Sequence, residues 1–323
     1  MIDVGTLAVP ALRLVVSNGT KAQYACLSHC WGDYRPDCIT TEATLERNMK
    51  EIPWPTLSKT FQDAVTVTRA LGIRYLWIDS ICIIQGKSAV AKRDWQTELG
   101  LMASVYGDAM LTLAAIHAGN GRGGLFNNNL SGVRELNSAS LIAFRGLDGR
   151  SYTVLARKSV RHHWHESAIE HFGEEWKIPA NASPEAPLLT RGWVYQERFL
   201  SPRIIHFDRR EIAWECRQCS ACQCFLSGEA DMDDSGVFEA GHSQHQLSAK
   251  VQREFDLRDS PSLLEFAAIW RLDVVREFTQ LKLTQPTDKL PAVSGIAKAM
   301  MPLRPHDSYM AGLWHKSMFI DLL

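Results

Sequence analysis

The segment Tyr75–Ile84 is an almost unbroken apolar run that contains a single acid, Asp79. It is rich in aromatic and β-branched side chains, which are more typical of strands than of helices. A run of this length and composition indicates a strand that is buried on both faces, as in a parallel sheet covered by helices. The sequence therefore predicts an α/β protein with this strand in its core.

Strand and helix signals alternate on both sides of this run. Tyr24–His29 and Leu111–Ile116 are short strand-like segments. Ser58 and Asp94 each precede apolar residues at helical spacing, so each is expected to cap a helix. The order strand, helix, strand, helix, strand predicts a parallel sheet with right-handed crossovers.

The remainder of the chain carries a different mixture of signals. Arg203–Phe207 and Glu211–Cys216 predict a hairpin, and Leu263–Phe278 predicts a helix. We therefore expect an α/β fold in which residues 1–126 form a small parallel sheet flanked by helices. Residues 127–323 are expected to form a mixed β and α-helical distal half that packs on this core.

Charge and cysteine content limit the function classes. The formal net charge is −1, with 35 basic and 36 acidic residues, so general attraction to nucleic acid or an anionic membrane is not expected. No apolar run approaches the roughly 20 residues that a membrane-spanning helix needs. The eight cysteines are not spread like a secreted disulfide framework, so a soluble, cytoplasmic protein is expected.

Three sequence blocks carry the most specific motifs of the chain. Tyr24–Gly32 reads Y-A-C-L-S-H-C-W-G, Tyr75–Gln85 reads Y-L-W-I-D-S-I-C-I-I-Q, and the third block is a helix that begins at Trp95. In this order the blocks resemble the fungal heterokaryon incompatibility (HET) domain family, which usually has an aromatic residue where His29 stands. The resemblance continues through Thr190–His206 and into the segments Thr287–Ile296 and Tyr309–Trp314.

The resemblance implies a candidate catalytic acid. HET domains are distantly similar to TIR domains, which implies a TIR-like or flavodoxin-like core, and some TIR domains cleave NAD with a helical glutamate. Trp95-Gln-Thr-Glu98 resembles that helix, so Glu98 is the position to which the role transfers. An apolar flank from Trp95 and Met102 would raise its pKa and strengthen its interaction with a ribosyl cation. The alternative is a solvated carboxylate or one paired with an arginine.

Further candidates lie where the predicted strands end. Ser28, His29 and Trp31 follow the first strand, and Asp79 and Gln85 belong to the second block. Because ligands of α/β sheets bind at the carboxyl ends of the strands, these side chains could face a ligand. His29 could act as a general acid or base, or serve only as a structural donor.

Asp79 also has a structural interpretation. A buried carboxylate needs a donor, for which Arg69, Arg74 or a backbone N–H would serve. Arg191 and Trp95 complete the predicted ligand-binding set. Arg191, Glu197 and Arg198 are expected to form an ion-pair network, unless a guanidinium faces an anionic ligand instead.

A cluster of four thiols is a candidate metal site. Four thiolates would suit zinc, but their close spacing leaves little room for tetrahedral geometry. Cysteine packing is the alternative, and neither a metal nor another cofactor is predicted. The thiols are those of Cys216, Cys219, Cys222 and Cys224.

Three functions remain open from the sequence. The first is a HET effector of allorecognition and programmed cell death that cleaves NAD. The second is a stand-alone enzyme of fungal secondary metabolism, a cyclase or pericyclase such as a Diels–Alderase, whose apolar polyketide or terpenoid substrate is held in a reactive conformer. The third is an interaction module without chemistry. The expected partner is a small molecule, NAD or an apolar metabolite, and homo-oligomers are a further candidate assembly.

Overall fold

An eight-stranded sheet forms the centre of the protein. The computed structural model describes residues 1–126, 140–156, 185–217, 219–223 and 262–322. Its strands are β1 Ile2–Gly5, β2 Pro10–Leu14, β3 Tyr24–Ser28, β4 Tyr75–Trp77, β5 Leu111–Ala114, β6 Ser140–Arg145, β7 Ser151–Ala156, β8 Arg203–Phe207, β9 Ile212–Cys216, β10 Ser220–Cys222, β11 Tyr309–Met310 and β12 Leu313–Trp314.

Helices cover both faces of this sheet. A π-helical segment, Ile269–Val275, joins α6 to α7. The helices are α1 Leu45–Lys50, α2 Lys59–Ala70, α3 Asp79–Cys82, α4 Ala89–Gly107, α5 Gly192–Leu200, α6 Leu263–Ala268, α7 Arg276–Thr279, α8 Lys289–Met300 and α9 Met318–Asp321.

The α/β fold is confirmed, but the sheet is larger than predicted. Its order is β10-β9-β8-β5-β3-β4-β1-β2, in which β8, β5, β3 and β4 are parallel and the outer strands are antiparallel. The predicted hairpin is present as β8 and β9, and it extends the central sheet because β8 pairs with β5. The predicted boundary between residues 126 and 127 stays a prediction.

Two cores lie on opposite faces of the sheet. Ala25 and Leu27 of β3 pack in the core that includes α2, whereas Cys26 packs in the core formed with α4, α5 and α8. Because side chains alternate along a strand, Ser28 points to the same face as Cys26. The end of β3 therefore places a hydroxyl group beneath α4 and α5.

The prediction of one long strand over Tyr75–Ile84 is wrong. The strand ends at Trp77, and the amide groups of Ile81 and Cys82 donate to the carbonyl of Ile78 to form the helical turn α3. Ile78 and Ile81 are fully buried, so the run is still part of the core. A short apolar run does not by itself distinguish a buried strand from a buried helical turn.

One of the two predicted helix caps is present. Ser58 Oγ accepts from the backbone N–H of Phe61 at 3.4 Å at the start of α2. Helix α4 begins six residues earlier than predicted, because Ser88 and not Asp94 caps it. Asp94 lies inside α4 and accepts from the backbone N–H of Ile84 at 2.7 Å. In the described part of the chain, none of the helices is long and apolar enough to cross a lipid bilayer.

Candidate functional site

A cavity of about 90 Å³ lies at the carboxyl ends of β3 and β4, beneath α4 and α5. This is the edge of the sheet at which α/β proteins bind ligands. Most of the residues predicted to bind a ligand line this one cavity. Its lining consists of Leu27, His29, Trp31, Asp79, Ile83, Gln85, Trp95, Leu99, Met102, Tyr106, Arg191, Trp193 and Glu197.

Asp79 is held by donors on two segments. Trp31 Nε1 donates to Asp79 Oδ2 at 2.8 Å, and the backbone N–H of Ser80 donates to Oδ1 at 2.6 Å. The predicted arginine partners bind elsewhere, since Arg69 donates to backbone carbonyls and Arg74 pairs with Asp3. Of the donors predicted for Asp79, the backbone N–H is therefore present and the two arginines are not. The indole donor was not predicted.

His29 lies against the Asp79 carboxylate. Its Nε2 is 3.7 Å from Asp79 Oδ1, and its ring meets the ring of Phe61 edge-on at 4.9 Å. Burial lowers the pKa of His29, although Asp79 partly opposes this. The imidazole is therefore neutral at neutral pH, and it can accept or donate one proton. Arg191 Nη1 donates to the His29 carbonyl at 2.6 Å, which fastens the segment before α5 to the end of β3.

Glu197 of α5 is the cavity residue whose role the sequence analysis missed. It is buried, and its Oε2 makes no hydrogen bond with any residue in the described ranges. Burial raises the pKa of Glu197 to about 7, and the Ser28 hydroxyl and the Arg191 guanidinium only partly oppose this effect. This carboxyl group therefore changes charge near neutral pH.

The predicted ion-pair network of α5 is divided between two places. Arg198 donates to the two carboxylate oxygens of Glu215 at 3.1 and 3.2 Å, while Glu197 faces the cavity. Trp193, Glu197 and Leu200 recur at helical spacing. This acid in an apolar stripe is the sequence signal that could have identified Glu197.

Glu98 does not line the cavity. The stripe of α4 that does so consists of Trp95, Leu99, Met102 and Tyr106. Burial and the neighbouring Asp94 raise the pKa of Glu98, as its apolar flank predicts. Its catalytic role stays a prediction.

Gln85 and Ser28 have mainly structural contacts. Gln85 Nε2 donates to the carbonyls of Ile83 at 2.9 Å and Asp79 at 3.3 Å, so the amide closes the turn after α3. Ser28 is buried and lies next to Glu197, where its hydroxyl favours the charged carboxylate. The roles of both residues in ligand binding stay predictions.

The cysteine cluster is partly described. Cys216 Sγ and Cys219 Sγ are 3.6 Å apart, and Cys222 is buried on β10. Cys224 lies outside the described residues. Within the described ranges, no three potential ligands gather into a metal site. Zinc binding and simple cysteine packing therefore both stay open as hypotheses for this cluster.

Comparison with known proteins gives one match. The family model described as heterokaryon incompatibility protein (HET) matches residues 24–197, slightly more than half of the chain. No curated protein and no solved structure is significantly similar to this sequence. Every residue that lines the cavity, from Leu27 to Glu197, lies within the matched segment.

Proposed function

Because this chain belongs to the heterokaryon incompatibility family, we propose that it is a fungal allorecognition protein that triggers cell death by cleaving NAD in this cavity. The observation that carries the catalytic part of the proposal is Glu197, a buried residue that lines the cavity and whose Oε2 has no hydrogen-bond partner among the described residues. A carboxylate in such a place suits a reaction that develops positive charge, because the apolar surroundings strengthen the attraction.

The proposed reaction breaks the bond between the ribose C1′ and the nicotinamide nitrogen. The bonding electrons leave with nicotinamide, which becomes neutral, and the ribosyl group becomes an oxocarbenium-like cation. The ionised Glu197 carboxylate stabilises this cation. Water then adds to C1′ and releases a proton, so the products are nicotinamide, ADP-ribose and one proton.

Other cavity residues suit this substrate. Arg191 lies at the cavity with a guanidinium group that can pair with a phosphate of the dinucleotide. The neutral imidazole of His29 can accept a proton from the attacking water. Trp31 fixes Asp79 through its indole N–H and thereby keeps a second carboxylate at the same wall.

An apolar substrate fits this lining less well. Asp79, Glu197, Arg191 and His29 all line the cavity, and an apolar polyketide or terpenoid would cover these polar groups without adding a hydrogen bond of its own. We therefore do not favour the cyclase alternative. If the protein has no catalytic activity, the alternative of an interaction module is supported.

The test is the release of nicotinamide from NAD by the purified chain, followed by chromatography. We expect turnover by the parent protein and a rate that is lower by about 100-fold or more in Glu197→Gln, as for the loss of one transition-state charge contact. Glu98→Gln is the discriminating variant, because Glu98 is the competing carboxylate.

Each outcome has a distinct meaning. If Glu98→Gln keeps a near-parental rate, the cavity assignment is supported. If instead Glu98→Gln loses turnover and Glu197→Gln keeps it, Glu98 is the catalytic acid. An inactive parent protein would overturn the NAD proposal altogether.

A further inference from the structure

The cavity combines aromatic rings with carboxylates. Three tryptophans, Trp31, Trp95 and Trp193, line it together with Asp79 and Glu197. Aromatic faces and carboxylates both attract positive charge. The residues that line the cavity therefore favour a ligand with positive charge.

Two of these indole rings are fixed by their N–H groups. Trp31 Nε1 donates to Asp79 at 2.8 Å, and Trp193 Nε1 donates to Asp288 at 3.1 Å. Because these donors are engaged, both rings present carbon surface and not a hydrogen-bond donor to a ligand. Rings held in this way are suited to planar, weakly hydrated groups.

The positive groups at the cavity do not neutralise both carboxylates. Arg191 contributes a single positive charge near Glu197 while it donates to the His29 carbonyl at 2.6 Å, and the buried His29 ring is neutral at neutral pH. Asp79 is satisfied by N–H donors without a full counter-charge. Glu197 Oε2 makes no hydrogen bond within the described ranges.

We propose that the cavity binds a planar aromatic cation, with its ring against the tryptophans and its positive charge facing Glu197 and Asp79. This inference rests on the proposed function, for which it names the recognised part of the substrate, the pyridinium ring. The same chemistry would recognise other N-alkylated aromatic cations.

The test compares two ligands that differ in charge and not in ring structure. 1-Methylnicotinamide carries a pyridinium charge and has no glycosidic bond to cleave, whereas nicotinamide is its neutral counterpart. Titration calorimetry with the full chain should give about tenfold tighter binding of the cation, as for one cation–π contact with charge pairing. Equal affinities would overturn the inference.

Two variants test whether Glu197 is responsible for the preference for the cation. Glu197→Gln should reduce the preference for the cation to near parity, whereas the exposed control Glu46→Gln should keep it. Loss of the preference in Glu46→Gln, or its retention in Glu197→Gln, would contradict the role of the cavity carboxylate.

The pH dependence gives a readout that needs no variant. The affinity for 1-methylnicotinamide should rise as pH increases from 6 to 8, because Glu197 loses its proton in this range. The other groups that face Glu197 are Ser28, Asp79, Tyr106 and Arg191, and the raised pKa of Tyr106 keeps that hydroxyl neutral here. A flat profile would contradict the inference.

The outcomes separate this inference from the proposed function. Cation-selective binding without NAD cleavage would retain the inference and remove the catalytic proposal. Cleavage of NAD by a protein that does not prefer 1-methylnicotinamide over nicotinamide would retain the catalytic proposal and remove the inference of cation binding.

Discussion

Glu197 and Glu215 are two buried carboxyl groups with opposite electrostatics. Burial raises the pKa of Glu197 to about 7. Burial acts on Glu215 in the same direction, but Arg198 and His206 outweigh it and lower the pKa to about 2. His206 Nε2 lies 2.6 Å from Glu215 Oε2. Because both groups are buried, the difference between their pKa values comes from the groups around each carboxyl and not from the depth of burial.

The two shifts predict opposite effects of pH on stability. Between about pH 4.5 and 7 the folded chain keeps a proton on Glu197 that the unfolded chain has lost, so stability falls as pH rises. Glu197→Gln should therefore be more stable than the parent at pH 8, by on the order of 1–3 kcal/mol, and about equal to it at pH 4.5. Urea unfolding at both pH values measures this difference.

Glu215→Gln is the matched comparison. The lowered pKa of Glu215 contributes stability above about pH 4.5 that is lost as pH falls towards 2. Removal of this charge should cost roughly 3 kcal/mol or more at pH 8, since Arg198 loses its carboxylate partner. If both variants changed stability in the same direction at pH 8, this electrostatic account would be wrong.

At the scale of elements, the turn after β3 packs closely against the loop after β5. Gly32 has a φ of +58°, and a Cβ placed there would lie 2.5 Å from the carbonyl oxygen of Gly119 and from the Cβ of Asn120. This contact holds the segment that carries His29 and Trp31 beside the neighbouring strand end. The position therefore requires glycine for both its conformation and its space.

Gly32→Ala should lower the free energy of unfolding by about 2–4 kcal/mol, through left-handed backbone strain and overpacking. Gly19→Ala is the control, because Gly19 has a φ of +76° but open space around it. It should cost only about 1–2 kcal/mol. Urea unfolding of both variants checks the prediction, and equal losses would show that the close approach contributes nothing.

The elements also show where sequence patterns were sufficient. The cap at Ser58 and the apolar residues at helical spacing after Asp94 are local features, and both are present as predicted. The helical turn α3 was not predicted, because burial on all sides removes the periodicity that separates a strand from a helix. The place of Glu197 depends on how α5 packs against distant segments, which local spacing does not determine.

At the scale of the whole molecule, the first half of the chain does not contain a complete site. Strand β8 pairs with β5, and Arg191, together with Trp193 and Glu197 of α5, completes a cavity whose other residues precede residue 126. The pairing of β5 with β8 could not be predicted, because the two strands are far apart in the sequence. The two predicted halves thus share one sheet and one cavity.

A fragment of residues 1–126 should therefore be less stable than the full chain and should not bind 1-methylnicotinamide. It would leave β5 as an open edge and expose the apolar cores that α5 and α8 cover. Co-expression with residues 127–323 should restore binding, as calorimetry would measure. A fragment that unfolds cooperatively and binds by itself would contradict this prediction.

The bond between Arg191 and the His29 carbonyl joins residues 162 positions apart. A ribosome completes the HET signature strands long before it reaches the helix that carries Glu197. The nascent chain therefore contains the family motifs before it contains the residues that complete the cavity. Until residue 197 has been added, the growing chain lacks Glu197, and a product truncated before residue 191 also lacks the bond from Arg191 to the His29 carbonyl.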